Sequence, residues 1–108
     1  MTTKFWIEKA WGDSVDNATF NDIKVAIQET LNMDDEHGAF WVGNYDNEYT
    51  MEIHKDLKLF FNPNSNPNDQ ITTHLNSREE VEKLYLMFMD NRYENIELEL
   101  RKQNTHPG

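Results

Sequence analysis

Cysteine is absent from the 108 residues, which removes disulfides, thiol catalysis and thiolate metal sites together. Glycine is scarce, with four scattered along the chain, so no loop has the glycine-rich build that cradles a phosphate. No apolar run approaches the roughly 20 residues of a membrane span. The opening MTTKFWIEKAWGD also lacks the apolar core of a secretion signal. Basic residues are the last deficit: 10 Lys and Arg face 20 Asp and Glu, for a formal charge of −10. That sign disfavours direct binding to nucleic acid or anionic membranes and favours a cationic partner. Together these absences predict a soluble, cytoplasmic protein without cofactor, membrane contact or small-molecule substrate.

What the chain has is aromatic side chains and clean periodicity. There are 3 Trp, 4 Tyr and 6 Phe, enough with the aliphatic residues to fill one core. The expectation is one domain over residues 1–102, followed by a flexible tail over 103–108 that has no apolar anchor. Lys4 to Trp11 alternates as a strand, and Gly12 to Ala18 is polar turn material. Thr19 with Asp22 three residues on is a variant capping box. Phe20, Ile23, Ile27, Thr30 and Leu31 then recur at helical spacing, predicting a helix to about Met33. Strands follow over Ala39 to Tyr45, Tyr49 to Lys55 and Leu57 to Phe61, with a hairpin turn at Asp46-Asn47. NPNSNPND, Asn62 to Asp69, reads as an exposed loop, and Gln70 to Leu75 as a further short strand. Ser77-Arg78-Glu79-Glu80 is a full capping-box signature ahead of Val81, Leu84, Tyr85 and Phe88, so a second helix runs to about Asn91. Asn95 to Lys102 alternates and predicts a closing strand. The fold class is α+β, in the order β-α-β-β-β-(β)-α-β, with a mostly antiparallel sheet and both helices on one face.

Alternation also sorts side chains between the faces of that sheet. Phe5, Ile7, Met51, Ile53, Leu57, Leu59, Ile96, Leu98 and Leu100 belong to the covered face. Trp6, Glu8, Thr50, Glu52, His54, Lys58, Phe60, Glu97 and Glu99 belong to the open one. In the strand 39–45, Phe40 and Val42 compete with Trp41 and Tyr45 for the core. Aromatic rings among carboxylates suit a basic protein partner, the rings offering desolvated contact area and the carboxylates bidentate acceptors for Arg. The alternative is that the 62–76 loop or the tail covers those rings.

No catalytic or metal constellation is legible. Asp34, Asp35, Glu36 and His37 are consecutive and match neither an EF-hand nor a helical zinc pair, so they read as a helix-end turn whose charge can touch a partner. Glu52 and His54 share a strand face without a nucleophile in any recognisable turn. Three competing classes remain beside a protein inhibitor. One is an acidic nucleic-acid mimic that inhibits a DNA-binding defence protein. Another is a small hydrolase centred on Glu52, His54 and His37. The last is a solvated dimerisation domain whose acidity has no role in recognition.

The first strand with Trp6 and Trp11, the hairpin EHGAFWVGNYDNEYTMEIH, and the helix SREEVEKLYLMFMDN running into NIELELRK are similar in layout to bacterial toxin-immunity proteins. The likeness is to those paired with contact-dependent inhibition and other polymorphic toxins. It spans most of the chain and rests on layout and composition. It implies stoichiometric inhibition of a basic, nuclease-like toxin domain, with carboxylates imitating substrate phosphates. On that reading the binding residues are Trp6, Glu8, Glu52, His54, Phe60, Glu97 and Glu99, with Asp34, Asp35 and Glu36 as a peripheral group.

Overall fold

The computed structural model of the chain describes residues 4–45, 49–63 and 70–104. Alternation of apolar and polar residues builds the strands β1 (Phe5–Lys9), β2 (Ser14–Asp16), β3 (Ala39–Asn44), β4 (Thr50–His54), β5 (Lys58–Asn62) and β6 (Ile71–His74). They form one sheet in the order β2-β1-β3-β4-β5-β6, with every neighbouring pair antiparallel. Helices α1 (Phe20–Leu31), α2 (Arg78–Met89) and α3 (Tyr93–Asn104) bury their apolar stripes in a single core with one face of that sheet. The architecture is the α+β arrangement that the sequence pattern predicts.

Register explains why the covered face is so dry. Ile7, Val42, Met51, Phe61 and Ile71 lie side by side across β1, β3, β4, β5 and β6, and all are buried. Each such side chain contributes roughly 1.5–3 kcal/mol over its exposed state. Helix residues close over this row. Phe88 packs its ring 5.8 Å from Phe5 and 6.4 Å from Phe61, while Tyr85 stacks 5.5 Å from Phe40. The Tyr85 hydroxyl donates to the Met51 carbonyl at 3.0 Å, satisfying the one polar atom of that ring. Burial pushes this phenol well above its usual pKa, and the Glu52 charge adds to the effect.

Capping fixes where the first two helices begin. The Thr19 hydroxyl accepts from the Asp22 amide at 3.2 Å and the Asp22 carboxylate accepts from the Thr19 amide at 2.8 Å, closing the box expected there. At α2 the Ser77 hydroxyl accepts from the Glu80 amide at 3.3 Å, but the Glu80 carboxylate reaches one residue further back, to the Asn76 amide at 3.1 Å. α2 ends in a left-handed turn at Asn91, φ 60°. There the Arg92 amide bonds the Met87 carbonyl at 2.9 Å and the Asn91 amide bonds Phe88 at 3.1 Å. That is a Schellman stop, with Asn in the role glycine usually takes.

Two elements differ from the sequence expectation. Within the segment read as a polar turn, Ser14–Asp16 adds strand β2 to the sheet edge, its Val15 paired with Ile7. More consequentially, the closing segment is helix, not strand: α3 occupies Tyr93–Asn104. Ile96 and Leu100 are buried as predicted, but Leu98 between them is 67% exposed, which a strand face would forbid. Tyr93, Ile96 and Leu100 recur at one helical stripe. A spacing of four fits a strand face and a helix turn equally, so Ile96 and Leu100 could not discriminate the two. Composition could have, because Glu, Leu, Arg, Lys and Gln are strong helix formers. A Glu97–Arg101 ion pair at 3.6 Å spans one turn of α3. α3 carries the backbone through Asn104, past the point where a tail was expected. The Asp46-Asn47 turn, the loop residues 64–69 and residues 105–108 lie outside the described residues.

Candidate recognition surface

The same register that packs the core lays out the opposite face of the sheet. Glu8, Trp41, Glu52, Phe60 and Thr72 form one row across β1, β3, β4, β5 and β6. Beside it runs a second row of Asp16, Trp6, Gly43, Thr50 and Asn62. Phe40 and Val42 therefore win the core, and Trp41 and Tyr45 face outward. None of the described helices packs on this side, and residues 71–74 join the sheet edge as β6 without folding across it.

Neighbouring side chains on this face hold one another in place. The Trp41 indole N–H donates to one carboxylate oxygen of Glu52, and His54 Nε2 contacts the other. The side chains of Glu52 and His54 are 24% and 39% exposed, neither core nor free. Phe60 lies against the His54 ring with centroids 5.0 Å apart, and the Lys58 amine sits 5.6 Å over the Phe60 ring. The Trp6 indole lies across Gly43, where a Cβ would come within 2.2 Å of Trp6 Cζ2. Glycine at that position is what lets the indole lie flat on the strand. At the β2 edge the Tyr45 hydroxyl donates to Asp16 at 2.9 Å, and this bond raises the phenol above its ordinary pKa.

Of the residues predicted from sequence, Trp6, Glu8, Glu52, His54 and Phe60 come together on this open face. Glu97 and Glu99 do not, because their segment is α3 in the helix layer. Asp34, Asp35 and Glu36 are exposed in the turn between α1 and β3. Asp34 accepts from the His37 amide and from its Nδ1, each at 2.9 Å, and these bonds hold its carboxyl below the ordinary range. Asp35 lines a hollow with Gly38, His54, Lys55 and Asp56, which places that turn beside the His54 end of the face. Sequence reasoning left Trp41 and Tyr45 unassigned and did not consider Asp16. The signal for Asp16 was the short alternation Ser14-Val15-Asp16, hidden inside a polar stretch.

Chemically, the face offers aromatic rings, oriented carboxylates and shallow hollows. Among the described residues, no three or more His, Cys, Asp or Glu side chains are grouped to hold a metal ion, and no helix is long and apolar enough to cross a membrane. No family model, curated protein or solved structure matches the chain.

Proposed function

We propose that the protein is an immunity protein that binds and neutralises a basic, nuclease-like bacterial toxin domain in the cytoplasm, by contact and not by catalysis. The observation that carries this reading is the sheet face that no described helix covers, where Trp6, Trp41 and Phe60 lie among Glu8, Glu52 and His54. Rings already held by Gly43, Glu52 and Lys58 give contact area at little ordering cost, the property of interface anchors. The net charge of −10 supports rapid, salt-sensitive encounter with a cationic partner. Carboxylates on the face would occupy positions that substrate phosphates take on the toxin. Asp34, Asp35 and Glu36 would extend the contact past the His54 end of the sheet.

The test is co-expression with a basic, nuclease-like toxin domain, followed by co-purification at low and high salt. Rescue of growth, with a stable complex that associates more slowly at high salt, is the expected result. Charge reversal of Glu8 and Glu52 to Lys should abolish rescue while leaving the fold intact, whereas reversal of Glu97 and Glu99 on α3 should not. An absence of both rescue and complex would overturn the reading for that pair. Competition with DNA for several unrelated binders would point instead to a nucleic-acid mimic.

A further inference from the structure

Two hollows open at the ends of the acidic face, and their linings differ. The one beside His54 already contains a cation: Lys55 lies in its wall, 3.8 Å from Asp35, and donates to the Met33 carbonyl at 2.6 Å. The other, of about 300 Å³, is lined by Trp6, Ile7, Glu8, Ser14, Asp16 and Tyr45, with no basic residue among the described residues of its wall. We propose that this second hollow is a socket for an arginine side chain of a protein partner, an inference that rests on the immunity reading for the class of that partner.

Geometry supplies each part of such a socket. Strand register sets Asp16 opposite Trp6 and Ser14 opposite Glu8, so the two carboxylates lie diagonally across the β1–β2 pair. Tyr45 occupies one oxygen of Asp16 and pins that carboxylate, leaving its second oxygen to accept. Glu8 is exposed and has no hydrogen-bond or ion-pair partner among the described residues, so both its oxygens are available. Trp6 and Tyr45 add aromatic surface for a flat cation, and the indole is immobilised across Gly43. A guanidinium is planar, weakly hydrated and forked, so it can stack on a ring and bond carboxylates edge-on at once. An ammonium is a compact, strongly hydrated point charge and gains less from the rings.

The experiment follows the indole N–H resonances of Trp6 and Trp41 while N-acetyl-arginine amide is added to the whole chain, with N-acetyl-lysine amide in parallel. The arginine probe should shift Trp6 saturably, leave Trp41 in place and bind more tightly than the lysine probe. Glu8→Gln with Asp16→Asn should weaken the Trp6 response about 10-fold, the equivalent of losing one charge-assisted pairing. Glu97→Gln with Glu99→Gln should leave it unchanged. An unmoved Trp6, equal movement of Trp6 and Trp41, or an unchanged response in the Glu8/Asp16 variant would overturn the socket. The two claims fail separately. Toxin neutralisation without any Trp6 response sinks the socket alone, and a specific Trp6 response without neutralisation sinks the immunity reading alone.

Discussion

The two faces of one sheet are made by alternate residues of the same strands, yet they are built on different terms. On the covered side Ile7, Val42, Met51 and Phe61 sit in a row with no exposure at all. On the other, Glu8, Trp41, Glu52 and Phe60 form the parallel row, at least partly exposed, with Trp41 and His54 bonded to Glu52 and Phe60 packed against His54. The first face is stabilised by excluding water from apolar area. The second keeps large rings at the surface and fixes them through Glu52, Lys58 and Gly43. A solvated sheet face with no further role needs neither tryptophan nor this mutual restraint. The contrast separates the residues that maintain the fold from those that the proposed function assigns to a partner.

Truncations at matched ring positions should break the contrast most visibly. Phe88→Ala, in the core between Phe5, Phe61 and Tyr93, should cost about 3–5 kcal/mol in denaturant unfolding. Phe60→Ala, on the open face, should cost about 1 kcal/mol or less. Equal losses would mean the open face is also core. The same comparison within α3 tests its helical assignment. Leu100→Ala should cost about 2–5 kcal/mol, and Leu98→Ala should stay within about 0.5 kcal/mol; a strand would lose comparably at both. Next comes Gly43→Ala, whose Cβ collides with Trp6. It should lower stability by about 1–3 kcal/mol and shift tryptophan emission to the red as the indole is pushed into water.

The smallest effect concerns the exposed α1–β3 turn. Its bonds to His37 hold the Asp34 carboxyl below its ordinary range. A depressed folded value contributes stability that is present above the unfolded value and lost as pH falls through the folded one. Asp34→Ala should therefore lower stability slightly at neutral pH and converge with the parent protein in acid, so that the acid limb of a stability–pH curve becomes shallower. An unchanged acid limb would show that the Asp34–His37 contact does not persist in solution.

Legibility in the sequence followed how many independent signals each segment carried. α1 had a capping box and a full apolar stripe, Thr19 and Asp22 ahead of Ile23, Ala26, Ile27 and Thr30, and it lies where the pattern puts it. In β4, Met51 and Ile53 alternate with Thr50, Glu52 and His54, and one period fits. α3 failed because Ile96 and Leu100, four apart, satisfy both periods, and the third apolar residue, Leu98, was counted with them when it faces water. That error moved Glu97 and Glu99 onto a face they do not share. β3 could not be oriented from its own residues, since Phe40, Trp41, Val42 and Tyr45 are all fit for burial. Its facing is decided by neighbours, with Gly43 receiving Trp6 and Glu52 receiving the Trp41 N–H. Such cross-strand pairings have no trace in local periodicity.

The chain's three tryptophans permit a direct test of the central claim, that the open face is the one that meets the partner. Trp6 and Trp41 lie on that face, whereas Trp11 sits by Lys9, whose amine is 5.7 Å from the Trp11 ring and 2.6 Å from Glu29 of α1 on the helix side. Fluorotryptophan-labelled protein, observed by fluorine NMR as a toxin domain that it neutralises is added, should show Trp6 and Trp41 shifting together while Trp11 stays. Movement of Trp11 with Trp6 and Trp41 unchanged would place the contact on the helix layer and contradict the account.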